Sequence, residues 1–138
     1  MRPRLAVLAL VPLAAGCGGG SPKEVASIPV TTTVAGVPAS NHGFEDVRGG
    51  KSVNLDLNDD YFEPTAIKGT RGQKLALVLK NYGKHLHNFT LPGEGIDRDV
   101  APGETATVIA HIPRSGEIGF YCKYHKQVGM SGGLAVWR

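Results

Sequence analysis

The amino-acid sequence predicts an all-β fold, a small β-sandwich, in the C-terminal two thirds of the chain. Nineteen glycines and nine prolines make up about a fifth of the 138 residues, which favours turns and short strands over long helices. Apolar and polar residues alternate in several short segments, and turn signals separate these segments at a spacing of roughly 8–12 positions. No helical segment is apparent in this part, so a sandwich of short strands is the architecture that the pattern favours.

Five predicted strands follow one another from about Gly50; they cover 53–57, 75–79, 106–112, 118–122 and 134–137. In the first, Val53, Leu55 and Leu57 alternate with polar residues, which predicts one buried face. The second is a continuous apolar run, which predicts a strand that is buried on both faces. In the third, Ala106, Val108, Ala110 and Ile112 occupy every second position, which again has the period of a strand. Turn signals lie between the later strands, at Pro92-Gly93, Pro102-Gly103 and Ser115-Gly116.

The N-terminus has the pattern of an export signal. A basic start precedes an apolar run from Leu5 to Ala15, which predicts a secretory signal peptide over 1–16. The run is too short to span a bilayer, which takes ~20 residues. It ends in Leu-Ala-Ala-Gly-Cys, which resembles a bacterial lipobox, although alanine at the third position before the cysteine is less usual than leucine. We expect cleavage before Cys17 and lipidation of its thiol; the alternatives are an ordinary signal peptide cut nearby and an uncleaved anchor.

Residues 17–49 are expected to be a lipidated N-terminus followed by a flexible linker. The stretch begins with Gly18-Gly19-Gly20-Ser21-Pro22 and then has scattered prolines without sustained periodicity. His42 lies in it and is expected to be solvated. The predicted organisation is therefore a signal peptide, a tether, and one folded domain at 50–138. We expect the protein to be exported and lipid-anchored, on the outer face of the cytoplasmic membrane or in the periplasm.

The charge and the cysteine content argue against three classes of protein. The formal net charge is +3, and without Arg2 and Arg4 of the signal peptide 13 basic side chains face 12 acidic ones. This balance gives little support to nucleic-acid binding. Two cysteines are too few for a disulfide scaffold or a four-thiolate metal cluster.

The pattern that indicates chemistry lies near the C-terminus. Cys122, His125 and Met130 form a C-x2-H-x4-M array, and His85 and His87 lie upstream between two predicted strands. A thiolate, two imidazoles and a thioether are the ligands of a mononuclear blue-copper site. Soft sulfur suits Cu(I), and imidazole suits both oxidation states of copper. Such a ligand set, held in one geometry, permits electron transfer with little movement.

Other interpretations of these residues fit less well. Separately, Cys122 is consistent with a buried thiol, His125 with a surface imidazole and Met130 with core filling. Zinc would be expected to use more cysteine or histidine and does not favour a thioether. A binuclear copper centre needs a second thiolate in the same loop, and a Cys-His nucleophile pair would lack an orienting acid nearby. We therefore predict one Cu(I)/Cu(II) ion as the cofactor.

Over residues from about 50 to 138, the sequence resembles a cupredoxin of the small plastocyanin and pseudoazurin-like kind. The motifs that carry the resemblance are Phe62-Glu63-Pro64 with Ile67, Gly72, Asn81-x-Gly83, His87-Asn88-Phe89, Pro102-Gly103-Glu104-Thr105, Gly119-Phe120-Tyr121-Cys122, His125 and Gly129-Met130-Ser131-Gly132. The resemblance implies a Greek-key β-sandwich of about eight strands. It also implies a protein that shuttles single electrons.

The resemblance implies roles for individual residues. The upstream ligand of the family typically precedes an asparagine or another small polar residue and then a hydrophobic one, which fits His87 and not His85. The expected metal ligands are His87, Cys122, His125 and Met130. Asn88 is expected to tie the two ligand segments together by hydrogen bonds.

The expected function is that of a membrane-tethered, extracytoplasmic electron carrier, monomeric and not an enzyme. Lys84, Lys123 and Lys126 lie on the two ligand segments and suggest a basic rim for an acidic redox protein; alternatively, these lysines only keep the surface soluble. A copper-binding module for delivery or buffering in the cell envelope is the alternative function. Against it, Met130 is the one methionine of the expected mature chain, which also has no histidine run. An enzyme of this fold would need further copper sites and domains.

Overall fold

The structure, a computed structural model, describes residues 31–137, so the expected signal peptide and Cys17 lie outside the described residues. This part of the chain is all-β, which confirms the predicted fold class, but it has twelve strands where about eight were expected. In chain order they are β1 (Thr31–Val34), β2 (Val37–Ser40), β3 (Phe44–Asp46), β4 (Ser52–Asn58), β5 (Tyr61–Glu63), β6 (Ala66–Gly69), β7 (Lys74–Asn81), β8 (His87–Leu91), β9 (Ile96–Val100), β10 (Thr105–His111), β11 (Glu117–Tyr121) and β12 (Ser131–Val136). Two short 3₁₀ helices follow β8 and β11, at Pro92–Glu94 and Lys126–Val128. Among residues 31–137 no helix is long and apolar enough to cross a membrane.

Ten of these strands form two sheets that enclose one core. One sheet has the order β10-β7-β4-β5, and the other has the order β3-β6-β12-β11-β8-β9. Leu55 of β4 pairs in parallel with Leu79 of β7, and Ile67 of β6 pairs in parallel with Leu134 of β12. Parallel neighbours cannot be joined by a tight hairpin, so the chain must cross between the sheets. The architecture is the predicted β-sandwich.

The core is filled by alternate residues of the strands. The inward-facing residues of β4 and β7 are all buried; they are Val53, Leu55, Leu57, Leu75, Leu77 and Leu79. The prediction that 75–79 is buried on both faces is wrong, because Ala76 and Val78 on the outer face of β7 are only half-buried. The outer face of this four-stranded sheet is partly open to solvent.

The expected flexible linker over 17–49 is wrong for residues 31–46, which form β1, β2 and β3. β3 pairs with β6 at the edge of the larger sheet, and β1 and β2 form a hairpin. Val34 at the end of β1 is buried because Gly133 of β12 has no side chain; a Cβ there would overlap Val34 Cγ1. His42 is not a solvated linker residue either, since its ring stacks on Tyr61 with the centroids 3.6 Å apart.

Candidate metal centre

Three of the predicted ligands meet where their strands begin and end. His87 is the first residue of β8, Cys122 directly follows β11, and His125 lies in the turn after it. The Nδ1 atoms of His87 and His125 are 3.2 Å apart, and Cys122 Sγ is 3.4 Å from His125 Nδ1. The three donor atoms all lie within 4.8 Å of one another. One metal ion can therefore contact all three.

Met130, the fourth predicted ligand, is fully buried directly before β12. We call residues 122–130 the ligand loop. Main-chain hydrogen bonds close this loop: the Cys122 N–H donates to Met130 O at 3.0 Å, and the His125 N–H donates to Cys122 O at 3.1 Å. Gly129 has a φ of 94°, a left-handed conformation that favours glycine, and it turns the chain into β12. The loop thus holds three predicted ligands on one short, internally bonded segment.

The structure groups His87, and not His85, with the donor atoms of Cys122 and His125, although the ring centroid of His85 lies 6.2 Å from that of His125. The side chain of His87 is 0% exposed, whereas that of His85 is 67% exposed. β8 begins at His87, so His85 lies before the regular strand and does not share its inward-facing position. The sequence favours His87 over His85 through the resemblance, and His87 is the buried one of the two in the structure.

The donors differ in their access to solvent. His87, Cys122 and Met130 are fully buried, and His125 is only half-buried. Alternate residues of a strand share a face, so Phe89 of β8 and Phe120 of β11 occupy the next inward-facing positions. Their ring centroids are 5.0 Å apart, and Phe62 packs edge-on against Phe120. A buried aromatic cluster therefore lies behind the donors. His125 is the one predicted ligand that is partly exposed to solvent.

Asp59, in the turn between β4 and β5, contacts the site but was not predicted. Its Oδ1 lies 2.9 Å from His87 Nε2, and both carboxylate oxygens accept the Lys84 N–H at 3.0 Å. The Lys84 N–H and the His87 contact hold the pKa of Asp59 at about 2. Burial lowers the pKa of His87, and the Asp59 contact offsets only part of that effect. The sequence gives no sign of this contact, because Asp59 precedes His87 by 28 positions and follows a strand as turn residues do.

Asn88 lies at the centre of a polar network beside the ligand loop. Its Nδ2 donates to Oδ1 of both Asp97 and Asp99 at 2.8 Å, and its Oδ1 lies 3.4 Å from the Lys123 N–H. This last contact joins β8 to the ligand loop. The Lys123 ammonium donates to Asp97 at 2.9 Å, and the Tyr124 hydroxyl donates to Asp99 at 2.9 Å.

These contacts change the electrostatics of the expected basic rim. The ion pair with Lys123 lowers the pKa of Asp97 and raises that of Lys123, so both groups stay charged. Two carboxylates balance Lys123, which therefore adds little net positive charge. Lys84 is exposed, and the Lys126 ammonium lies over the Tyr121 ring, 4.3 Å from its centroid. The rim is mixed in charge where the sequence suggested a basic one.

The donor set fits a copper ion. One buried thiol and two imidazole nitrogens converge on one point, and a buried thioether closes the loop that carries two of them. Soft sulfur combined with imidazole matches copper in both oxidation states. Structural zinc sites use four cysteine or histidine ligands, and this cluster offers three. His87, Cys122, His125 and Met130 are the residues that would hold the ion.

Comparison with known sequences agrees with this description. The sequence profile of the family described as "Cupredoxin-like domain" matches residues 26–136. The chain belongs to the cupredoxin-like family. The match begins before β1, as expected if the N-terminal strands are part of the domain. Its span therefore agrees with the structure and not with the start near Gly50 that the sequence suggested.

A curated relative and two solved structures are similar to this cupredoxin-like chain. The copper-resistant cuproprotein CopI of Pseudomonas aeruginosa (strain PAO1) is 38% identical over 58 residues, which cover 39% of this chain and 32% of CopI. The chain thus spans about a third of that relative. Reduced auracyanin of Roseiflexus castenholzii superposes with a TM-score of 0.55 and 15% identity, over 64% of this chain and 98% of auracyanin.

The second structure is the metal-binding domain of the Cu(I)-exporting P-type ATPase CopA of Streptococcus pneumoniae D39, with Cu(I). It superposes with a TM-score of 0.54 and 14% identity, over 68% of this chain and 97% of that domain. At these identities, the two structural likenesses establish the fold alone.

Proposed function

We propose that this cupredoxin-like protein carries single electrons between redox proteins outside the cytoplasm. One copper ion, held by His87, Cys122, His125 and Met130, would supply the Cu(I)/Cu(II) couple when bound. The observation that carries the proposal is the contrast in exposure within the cluster. His87 and Cys122 are fully buried, whereas His125 reaches the surface. A centre that exchanges electrons and retains its metal needs this combination of a closed interior and one exposed edge.

The chain's own residues provide the rigidity that electron transfer requires. The ligand loop is closed by main-chain hydrogen bonds, and the Ser40 N–H of β2 donates to Gly129 O at 3.0 Å from outside the loop. The packed rings of Phe89 and Phe120 lie behind the donors and exclude water. A ligand cluster held in this way changes little in geometry when its charge changes. Cys122 directly follows β11, and the main chain of that strand offers a covalent path away from the centre.

The surface around His125 supports docking of a partner protein. Leu86, Tyr124 and Val128, on the two ligand-bearing segments, are apolar or aromatic and are exposed by 43%, 39% and 56%. Lys84 and Lys126 add positive charge on the same segments. We propose that an acidic redox protein binds here, with apolar contact around His125 and with Lys84 and Lys126 at the margin. Lys123 contributes less than the sequence suggested, because two carboxylates balance its charge.

We also propose that the protein is a monomer, anchored through lipid on Cys17 to the outer face of the cytoplasmic membrane or in the periplasm. The support is the lipobox-like end of the N-terminal apolar run. Electron carriage without catalysis is the proposed activity.

Copper delivery or buffering in the cell envelope is the second candidate. The partial likeness to CopI, which is named as a copper-resistant cuproprotein, favours it. The two candidates differ in how readily the protein should release its metal. A delivery protein exchanges copper with a competitor, whereas an electron carrier retains copper through repeated oxidation and reduction.

Redox cycling in the presence of a copper chelator separates these functions. The copper-loaded protein would be reduced with ascorbate and reoxidised with hexacyanoferrate(III) for ten cycles beside a Cu(I) chelator, and the copper remaining would be measured. Electron carriage predicts that most copper remains bound. Rapid loss of copper in the first reduced phase would contradict it and favour delivery. Cys122→Ser is the matched control, which should lose copper under both hypotheses.

A further inference from the structure

The geometry points to Asp59 as a positioning residue that fixes the ring of His87 and favours the oxidised ion, an inference that rests on the proposed copper centre. Asp59 lies outside the ligand-bearing segments, in the turn after β4. It contacts His87 at Nε2, and the opposite ring nitrogen, Nδ1, faces His125. One side of the imidazole is thus held by a carboxylate, and the other is directed at the donor cluster.

Asp59 is itself held in place by donors. Its oxygens accept the Lys84 N–H at 3.0 Å, and Oδ1 lies 3.4 Å from the His85 N–H and 3.3 Å from His85 Nδ1. The main-chain contacts come from N–H groups, which can only donate. Asp59 therefore serves as an acceptor, as an ionised carboxylate does. The carboxylate cannot rotate away from His87 without losing these contacts.

An acceptor at Nε2 determines which ring nitrogen of His87 carries the proton. A neutral imidazole has one N–H and one lone pair, and the carboxylate requires the N–H to be at Nε2. The lone pair is then at Nδ1, which lies 3.2 Å from His125 Nδ1 within the donor cluster. A partner of this kind fixes tautomer and ring orientation and makes the ligand more basic. Asp59 thus prepares His87 for metal binding before any metal arrives.

The surrounding backbone is built to permit this contact. A Cβ at Gly83 would overlap Asp59 Oδ1 and would lie 2.8 Å from His87 Nε2. Buried Asn81 fixes this segment, since its Oδ1 accepts the Gly83 N–H at 2.8 Å and its Nδ2 donates to His85 O at 2.8 Å. Only glycine at 83 leaves room for the carboxylate to reach the ring. The Asn-x-Gly motif therefore has a role in the site besides forming a turn.

The charge of Asp59 should also bias the two oxidation states. A carboxylate beside a ligand stabilises the more positive ion, so it favours Cu(II) over Cu(I). Loss of a carboxylate partner typically reduces metal affinity 10–100-fold. For a one-electron couple, each tenfold change in the ratio of Cu(II) to Cu(I) affinity corresponds to about 59 mV. Removing the charge should therefore raise the midpoint potential.

Asp59→Asn and Asp59→Ala test the inference in the full protein, with Asp60→Asn as the matched control. Asp60 is the exposed neighbour on the same turn, so its variant removes a nearby charge and leaves the contact between Asp59 and His87 in place. The Cu(II) and Cu(I) dissociation constants and the midpoint potential would be measured for each variant. Nitrogen-15 correlation spectra of the metal-free protein would report the tautomer of His87. Circular dichroism would verify folding, and Asp59→Asn, which preserves shape, decides the test if Asp59→Ala does not fold.

We expect Asp59→Asn to weaken Cu(II) binding about 10–100-fold, weaken Cu(I) binding less, and raise the potential by about 59 mV per tenfold change in their ratio. Metal-free wild-type protein should carry the His87 proton at Nε2, and Asp59→Ala should lose that preference. Potentials and tautomers equal to those of Asp60→Asn would overturn the inference. Wild-type protein that binds no copper would instead refute the proposed function, and the tautomer in metal-free protein would still decide the role of Asp59.

Discussion

Gly133→Ala offers a sharp test of how the N-terminal hairpin packs on the sandwich. The added Cβ would overlap Val34 Cγ1 and would lie 3.1 Å from Ile118 O. Gly133 does not have a left-handed φ, so alanine is allowed by the backbone and the damage should come from crowding. Val34 is 5% exposed, so the added methyl group has to displace a buried side chain. The substitution should therefore destabilise the fold through the hairpin.

The expected magnitude is the difference between two opposing effects. Overpacking a core position costs about 1–3 kcal/mol. Replacing glycine by alanine also restricts the unfolded chain, which returns about 0.4–1 kcal/mol. Gly133→Ala should thus lower the free energy of unfolding by about 1–2 kcal/mol. Val34→Ala removes two buried methyl groups and should cost about 1.6 kcal/mol. In the double variant the new methyl group occupies the vacated space, so the combined loss should be about 1 kcal/mol smaller than the sum.

Urea unfolding of the metal-free protein measures all three variants. Gly93→Ala is the matched control, because its Cβ would meet only Ile118 Cδ1 at 3.9 Å, an ordinary contact. The control should be neutral or slightly stabilising. If Gly133→Ala is no more destabilising than Gly93→Ala, or if its effect adds fully to that of Val34→Ala, the hairpin does not pack on β12 as described. That result would favour the original expectation that residues 31–46 belong to a flexible linker.

Three further predictions concern the site. Met130→Leu conserves core volume, so it should cost less than about 1.5 kcal/mol of stability. It also removes the thioether donor, so the midpoint potential measured by redox titration should rise while the ion stays bound. Lys126→Glu should slow electron transfer to anionic hexacyanoferrate(III) at low salt and not at high salt, unlike Lys74→Glu on β7; stopped-flow rates that do not differ between the two would contradict a role for Lys126. Asp59 has a folded-state pKa of about 2, below its ordinary value of 3.8, so its contribution to stability is present above pH 4 and is lost as the pH falls from about 4 to about 2. Urea midpoints of metal-free Asp59→Asn should therefore depend less on pH in that window than those of the wild type, and an unchanged slope would contradict this.

Local patterns carried most of the successful predictions. The alternation of Val53, Leu55 and Leu57 correctly predicts β4, because burial of every second residue is a property of a single strand. The C-x2-H-x4-M array similarly needs only one short loop to bring Cys122 and His125 together. Both features depend on residues that are close in the sequence. A pattern of this kind can be recognised without knowing the rest of the fold.

The missed features depend on residues that are far apart in sequence. Thr31-Thr32-Thr33 has β-branched residues that suit a strand, but the hairpin can pack on β12 because Gly133, about a hundred positions later, leaves space for Val34. The charge of Lys123 is balanced by Asp97 and Asp99, which approach it because β9 pairs with β8. Neither the packing of Val34 against Gly133 nor the ion pairs of Lys123 can be predicted from the spacing of these residues in the sequence. The alternation of Asp97 and Asp99 around Arg98 does place both acids on one face of a strand, which was the available clue.

The measurement that most directly tests the account is the visible and electron-spin-resonance spectrum of the Cu(II)-loaded protein beside Cys122→Ser. A mononuclear centre with the Cys122 thiolate and the imidazoles of His87 and His125 predicts strong absorption of red light and narrow copper hyperfine splitting, both lost in the variant. A colourless protein, or a spectrum of ordinary square-planar copper that Cys122→Ser leaves unchanged, would contradict the proposed blue-copper centre.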